Sequence, residues 1–261
     1  PLKTERGNRV FPVSDSAFDV SAALERRLKA LRVRIVRDRA VSLEIADGTV
    51  RGVAGERGSY PADGVILATG GVSYPGTGST GDGYRLAAEA GHTVTPLRGS
   101  LVPLQGVIAP GIPCVRLQGL SLRNIGLTVF ENNKKLYTDF GELLFTHFGV
   151  SGPLILSASA HMRYFDKKQY RLEIDLKPAL DEQQLDKRLL SDFGKYANHD
   201  FQNALDDLLP QKLIPVVVQL SEIPGRQKVH DLTREQRQSL LRVLKHFPVE
   251  ISAPCPVEDA I

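Results

Sequence analysis

Cysteine, net charge and long apolar runs are all scarce in this chain, and each scarcity excludes a class of function. The 261 residues hold two cysteines, Cys114 and Cys255, far apart and in no C-x-x-C pair. That spacing argues against a disulfide framework or a cysteine metal site, and it fits a reducing compartment. His92, His161, His199, His230 and His246 fall in no ligand spacing either, so no metal site is expected. No apolar stretch approaches the ~18–20 residues of a membrane span, and no signal-peptide pattern is visible. A soluble, cytoplasmic protein is expected. The formal net charge of +3 is small for this length and gives no reason to expect nucleic acid. One local exception, "RRLKALRVRIVRDR" at residues 26–39, reads as a solvated basic face or as an anion site.

What is present is ordinary globular material, with 42% apolar and 24% charged residues, enough for one large domain or two ordinary ones. The chain opens "PLKTERGNRVFP" without an initiator Met and stops at "PVEDAI" directly after a strand-like run. This reads as a piece of a longer protein. Near the start, Ser16 is a candidate N-cap with Asp19 in the capping-box role, ahead of Phe18, Ala22, Leu24, Leu28 and Leu31 at helical spacing. Three β-branched runs follow, "VRIVR", "AVSLEIA" and "TVRGVAG", the last two joined by a hairpin signal at Asp47-Gly48. "GVILATGG" then reads as a strand buried on both faces, and "GDGYRLAAEAG" as a helix stopped at Gly91. Residues 100–150 suggest antiparallel strands with a turn at Asn132-Asn133. A helix is expected from Ser151 as N-cap with Pro153 in its first turn. "YRLEIDLKP" is a strand, residues 181–246 hold three or four helices, and "PVEISA" is a final strand. The expected class is α/β in the form of an α+β fragment: a partial α/β unit, a β-rich middle and a helical lobe.

The stretch "VILATGGVSYPGTGSTGDGYRLAAEAG" contains a literal G-x-G-x-x-G at Gly76, Gly78 and Gly81. A dinucleotide fingerprint places its first glycine directly off a strand and an acid about 20 residues further on. Here "GGVSYP" intervenes and the later region "SLVPLQG" has no acid, so this match is read as a decoy. Its glycines would turn the chain, with Ser79 or Thr80 capping the next helix. The stronger object is "ATGG", where backbone without side chains at Gly70 and Gly71 allows a flat ring or phosphate to approach. The plainer alternative is that these glycines only turn the chain. In "FTHFGVSGP", His147 beside Thr146 is either a proton donor or acceptor or a strand-end histidine next to a glycine turn. "GVSGP" is not a G-x-S-x-G nucleophile elbow. Arg9 in "NRVFPVS" is a carboxylate clamp or a surface arginine.

These stretches together, with "GNRVFPVSDSAFDV", "GELLFTHFGVSGPLIL" and "LKHFPVEISAPCPVEDAI", resemble one family across essentially the whole chain. It is the bacterial FAD-dependent flavoproteins of the aminoacetone-oxidase-like or bile-acid-reductase-like kind (the YhiN/BaiN group). The resemblance implies a two-dinucleotide-fold FAD domain with inserted lobes, lacking here the N-terminal G-x-G-x-x-G unit and the C-terminal FAD segment. It implies a partial FAD-binding domain at 1–75, a β-rich substrate lobe at 76–180, a helical lobe at 181–247 and a return to the FAD domain at 248–261. Implied cofactor contacts are Val41, through its backbone, Ala68, Thr69, Gly70, Gly71 and Ser73. Arg9, Pro12, Ser14, Tyr74, Thr146, Ser151 and Gly152 would lie beside substrate or flavin, with His147 catalytic. The implied activity is FAD-dependent oxidation–reduction of a small organic substrate, with NAD(P)H or oxygen as electron partner. The alternative is a binding or structural piece that does not hold FAD by itself.

Overall fold

In the computed structural model, which describes residues 1–5 and 9–260, the alternating runs of the middle of the chain close into a barrel. Its strands are β6 (Leu104–Ala109), β8 (Ser121–Glu131), β9 (Lys134–Phe145), β10 (Gly149–Ser151), β11 (Tyr170–Asp175) and β12 (Phe247–Pro254). They are ordered β10-β9-β8-β11-β12-β6, and pairing of β10 with β6 completes the circle, with every pair antiparallel. A two-residue strand, β7 (Ile112–Pro113), folds back and pairs antiparallel with the end of β6. Closure pairs β10 and β6, the two ends of the six-strand order, with each other. The period-two pattern explains the inside: Leu127 and Val129 on β8, Leu172 and Ile174 on β11, and Phe247 and Val249 on β12 are all essentially buried. The Phe145 and Phe247 rings meet edge to face at 6.2 Å. At the β8–β9 turn Asn132 and Asn133 both take positive φ, as a tight hairpin requires.

The short helix α3 (Pro153–Ser159) packs along β9; a side chain at Gly141 would touch Leu154 at 3.3 Å. Between β11 and β12 the chain makes an all-helical excursion. It contains α4 (Glu182–Lys195), α5 (Ile214–Ser221) and α6 (Arg234–Lys245), with short 3-10 turns between them. Capping boxes start two of these helices, Asp181 with Gln184 and Thr233 with Gln236. Their apolar faces, including Leu185, Leu189, Leu240 and Leu244, join the barrel residues in one hydrophobic cluster. The final strand, which the resemblance groups with a return to the FAD domain, is over Phe247–Pro254 hydrogen-bonded between β11 and β6.

The chain divides into two compact units, Pro1–Ala68 with Tyr84–Thr93, and Thr69–Gly83 with Val94–Ile261. The division falls inside α2 (Asp82–Glu89). The first unit holds a hairpin of β1 (Leu2–Glu5) and β2 (Arg9–Pro12), helix α1 (Ala17–Ala30) and a meander of β3 (Ala40–Ala46), β4 (Thr49–Gly55) and β5 (Ser59–Pro61). Gly7 and Asn8 of the "GNRVFP" stretch lie outside the described residues.

Three expectations for this unit need correction. The meander's outer strand is Ser59–Pro61, and "VRIVR" is in no helix or strand. "GVILATGG" is not a strand: Ile66 is 91% exposed, and among the described residues none pairs with it. A continuous apolar run becomes a strand only beside ladder partners. Ser16 does occupy the N-cap position of α1 but makes no side-chain cap hydrogen bond; the Ser14 hydroxyl donates instead to Asp19. No α1 residue is buried. Among the described residues no helix is long and apolar enough to cross a membrane.

Candidate functional site

The glycine-rich stretch from Thr69 to Gly83 folds back on itself. Gly81 N–H donates to the Gly71 carbonyl at 3.2 Å. Gly70 sits at φ +76, where a Cβ would approach Ser79 Oγ at 3.1 Å. Tyr74 (φ 51) leads into a 3-10 turn over Pro75–Thr77, and Gly78 leaves it at φ +103. Gly81 follows at φ +81. Such values strain any residue with a Cβ, so Gly78 and Gly81 serve chain direction. Gly76 was expected to share that work, but it lies within the 3-10 turn and outside the left-handed region. At Gly76 and Gly78 a side chain would meet nothing within 4 Å, so one face of the loop's backbone is open. The Thr80 hydroxyl pairs with the Asp82 carboxylate at 3.2 Å. Thr69 packs against Gly83, where a Cβ would fall 2.3 Å from its hydroxyl.

The loop is tied at its middle to a distant part of the sequence. Ser73 Oγ donates to the Val257 carbonyl at 3.1 Å, and Tyr74 N–H donates to the Glu258 carbonyl at 3.3 Å. Val257 and Glu258 were not anticipated, because a backbone carbonyl carries no sequence signature. The preceding Cys255 anchors the same turn through N–H to the Pro103 carbonyl at 2.8 Å. Burial pushes its thiol pKa upward, aided by Asp259 and opposed by a hydrogen bond with Gln105. A thiol so held is protonated at neutral pH and is a poor nucleophile.

Residues 146–148 turn the chain from β9 into β10, and Gly152 follows β10. Thr146 N–H donates to the Gly149 carbonyl at 2.9 Å, and Gly149 N–H returns to Thr146 Oγ1 at 3.1 Å. Gly149 is required because a Cβ there would fall 2.1 Å from the Leu104 carbonyl oxygen of β6. The His147 ring is exposed and stands edge-on to Phe148 at 4.9 Å. Among the described residues no hydrogen bond joins it to the glycine loop. Ser151 is the last residue of β10, paired with Leu144, and Gly152 at φ 94 is the N-cap of α3 with Pro153 behind it. The expected cap is therefore displaced by one residue. The chain needs a positive φ to turn out of the strand, and serine does not supply it cheaply.

In the first unit, Arg9 stands opposite Glu5, and Pro12 opposite Leu2, on the β1–β2 hairpin. The Pro12 carbonyl accepts from Asp15 N–H at 3.0 Å. Val41 lies at a bulge of β3, where the register skips from Ala40 to Ser42, and its carbonyl accepts from Arg85 Nη1 at 2.9 Å. Ala68 is exposed and in no strand.

Residues 98–261 match the protein family described as HI0933-like protein barrel and H2TH domain. The chain is 31% identical over 92% of its length to the 3-dehydro-bile acid delta(4,6)-reductase of Clostridium scindens, covering 58% of that protein. It is 30% identical over 71% of its length to the ribosomal RNA dihydrouridine synthase of Escherichia coli, covering 43% of it. The Haemophilus influenzae protein of the same name gives 29% over 70%, covering 42%. The chain thus spans about half the length of the curated relatives it matches.

Proposed function

This chain belongs to the HI0933-like family, and from that premise we propose that it forms part of a FAD-dependent oxidoreductase that reduces a small organic substrate. The observation that carries the reading is the similarity to a named reductase, which extends over 92% of the chain and so includes both compact units. The glycine loop fits such a cofactor: Gly70 at φ +76 and the open face at Gly76 and Gly78 offer backbone without Cβ atoms, which a flat ring or a phosphate can approach. When bound, FAD would supply hydride transfer.

In this proposal Thr69, Gly70, Gly71 and Ser73 hold the cofactor, together with Ala68 and the backbone of Val41. Ser73 acts by fixing the loop to Val257. His147, exposed, exchanges a proton with substrate. Thr146 and Gly149 hold the turn that presents it. Arg9, Pro12, Ser14, Tyr74, Ser151 and Gly152 shape the surroundings. NAD(P)H is the proposed electron donor and the cytoplasm the proposed location.

A second reading, in which the reduced group is a base within RNA, is favoured by the two dihydrouridine synthase relatives. The helical lobe adds no charge argument for it, since acidic and basic side chains balance over residues 181–246.

The test uses the parent protein that contains this chain. It is expected to purify yellow, with flavin released on denaturation, and Gly70→Val is expected to lose the flavin while circular dichroism is unchanged. A fully flavinated Gly70→Val would overturn the loop assignment. A colourless parent that ignores added FAD would leave the non-catalytic binding role.

A further inference from the structure

The turn that anchors the glycine loop also lines a cleft of about 630 Å³, through Cys255, Pro256 and Val257. Its floor is apolar, with Met162, Phe165, Cys255 and Val257 among its lining. Arg98, Arg163 and Tyr164 line both this cleft and an adjoining hollow of about 370 Å³. Volumes and linings of this kind suit small molecules with an apolar body and a few polar attachment points.

Two guanidinium groups, Arg98 and Arg163, and one carboxylate, Asp166, line the cleft. The Arg98 guanidinium lies over the Tyr164 ring, 4.6 Å from its centroid. Among the described residues neither the Arg98 nor the Arg163 guanidinium forms a salt bridge or hydrogen bond, although the Arg163 backbone is tied to the Tyr170 hydroxyl. Lys168, 5.5 Å from the same ring, is by contrast paired with Glu131 at 2.8 Å. Asp166 lines the cleft as well but bridges to neither arginine. Tyr164 itself is held at φ 64, a conformation uncommon outside glycine, asparagine and aspartate. The cation–π contact positions one guanidinium without using its N–H donors, which stay available for a planar anion.

We infer that this cleft binds an organic anion, with a ring-shaped apolar body on the Met162–Phe165–Val257 floor and its carboxylate or phosphate against Arg98 and Arg163. Val257 is also the residue whose carbonyl receives Ser73 of the glycine loop, so cleft and loop share one segment. That the anion is the substrate rests on the reductase reading. That it binds does not, and flavin content reports on the reductase reading separately.

The 261-residue chain is titrated by fluorescence with 2-naphthoate, 2-naphthyl phosphate and neutral 2-naphthamide, which carry the same ring. At least one anion is expected to bind roughly ten-fold or more tightly than the amide, as charge-assisted hydrogen bonds require. The tighter of the two anions identifies the group as carboxylate or phosphate. Arg98→Gln and Arg163→Gln are each expected to lower anion affinity about ten-fold without moving the amide, with unchanged circular dichroism. The inference is overturned if amide and anions bind alike, or if neither arginine variant alters anion binding. It is equally overturned if a single-stranded oligonucleotide displaces the anion in an Arg98-dependent way, which would make the surface a phosphodiester track.

Discussion

Asp38 orders a segment that has no helix or strand of its own. Its carboxylate accepts from Tyr60 Oη at 2.7 Å, Arg57 N–H at 3.1 Å and Arg39 N–H at 2.8 Å. It also lies where a Cβ on Gly55 would fall, 2.2 Å from Asp38 Oδ2. The Tyr60 hydrogen bond is the main cause that holds the Asp38 pKa below its ordinary 3.8, and the same bond raises Tyr60 above 10.0. A lowered acid contributes stability that is present above pH 3.8 and fades as pH falls through the folded value. A raised phenol contributes below pH 10.0 and fades as pH rises through its own. Asp38→Asn is therefore expected to unfold at lower urea than the wild type in the neutral range. The two midpoints should converge toward both extremes of pH. A constant offset across pH would refute the assignment. None of this was legible in the sequence, where Asp38 is one acid inside a basic run and Tyr60 lies outside any motif. The helix cap was half legible: Asp19 does receive a serine hydroxyl, but from Ser14.

At the scale of the element, the strands whose alternation is uninterrupted were readable, and β11 and β12 match their expected runs closely. β8 was readable despite a bulge at Asn124 (φ 54), because its buried set resumes the alternation at Ile125, Leu127 and Val129. "GVILATGG" shows the opposite case, since its composition states a preference and its neighbours decide the outcome. β10 was missed, being three residues long, too short for a period to register. Its position nevertheless completes the barrel, and Gly149 is what lets it approach β6. Gly149→Ala places a methyl against the Leu104 carbonyl, and the strand must shift. A loss of about 1–3 kcal/mol is expected, as for overpacked sites, read as a lower thermal midpoint. Gly111→Ala, at φ +78 with nothing within 4 Å, serves as the control for backbone strain alone.

At the scale of the whole molecule, the order of β-rich middle followed by helical lobe was legible, and the circular pairing was not. Within the ring β6 pairs with β12 across more than a hundred residues, and no local pattern encodes a partner so distant. The candidate cofactor loop was visible as glycines, whereas its tether at Val257 and the two arginines lining one cleft depend on segments brought together only by folding. The barrel interior is the common support of these parts. Phe145 is fully buried against Phe247, so Phe145→Ala is expected to cost about 3–5 kcal/mol. Chemical denaturation should show a lower midpoint with an unchanged slope; an unchanged midpoint would mean that the barrel does not limit stability.

The helical excursion leaves the barrel and returns to it at one rung of a ladder, since Ile174 on β11 is the direct partner of Phe247 on β12. Its two stems are therefore held about 5 Å apart by strands that belong to something else. An insertion mounted this way is topologically a hairpin loop grown to the size of a lobe. It can lengthen, shorten or be exchanged between descendants without altering how the barrel is threaded. What restrains such exchange is the apolar seam of Leu185, Leu189, Leu240 and Leu244, which any replacement must refill or make polar. The barrel can thus serve as a fixed frame for a lobe attached at one rung and sealed along one apolar seam.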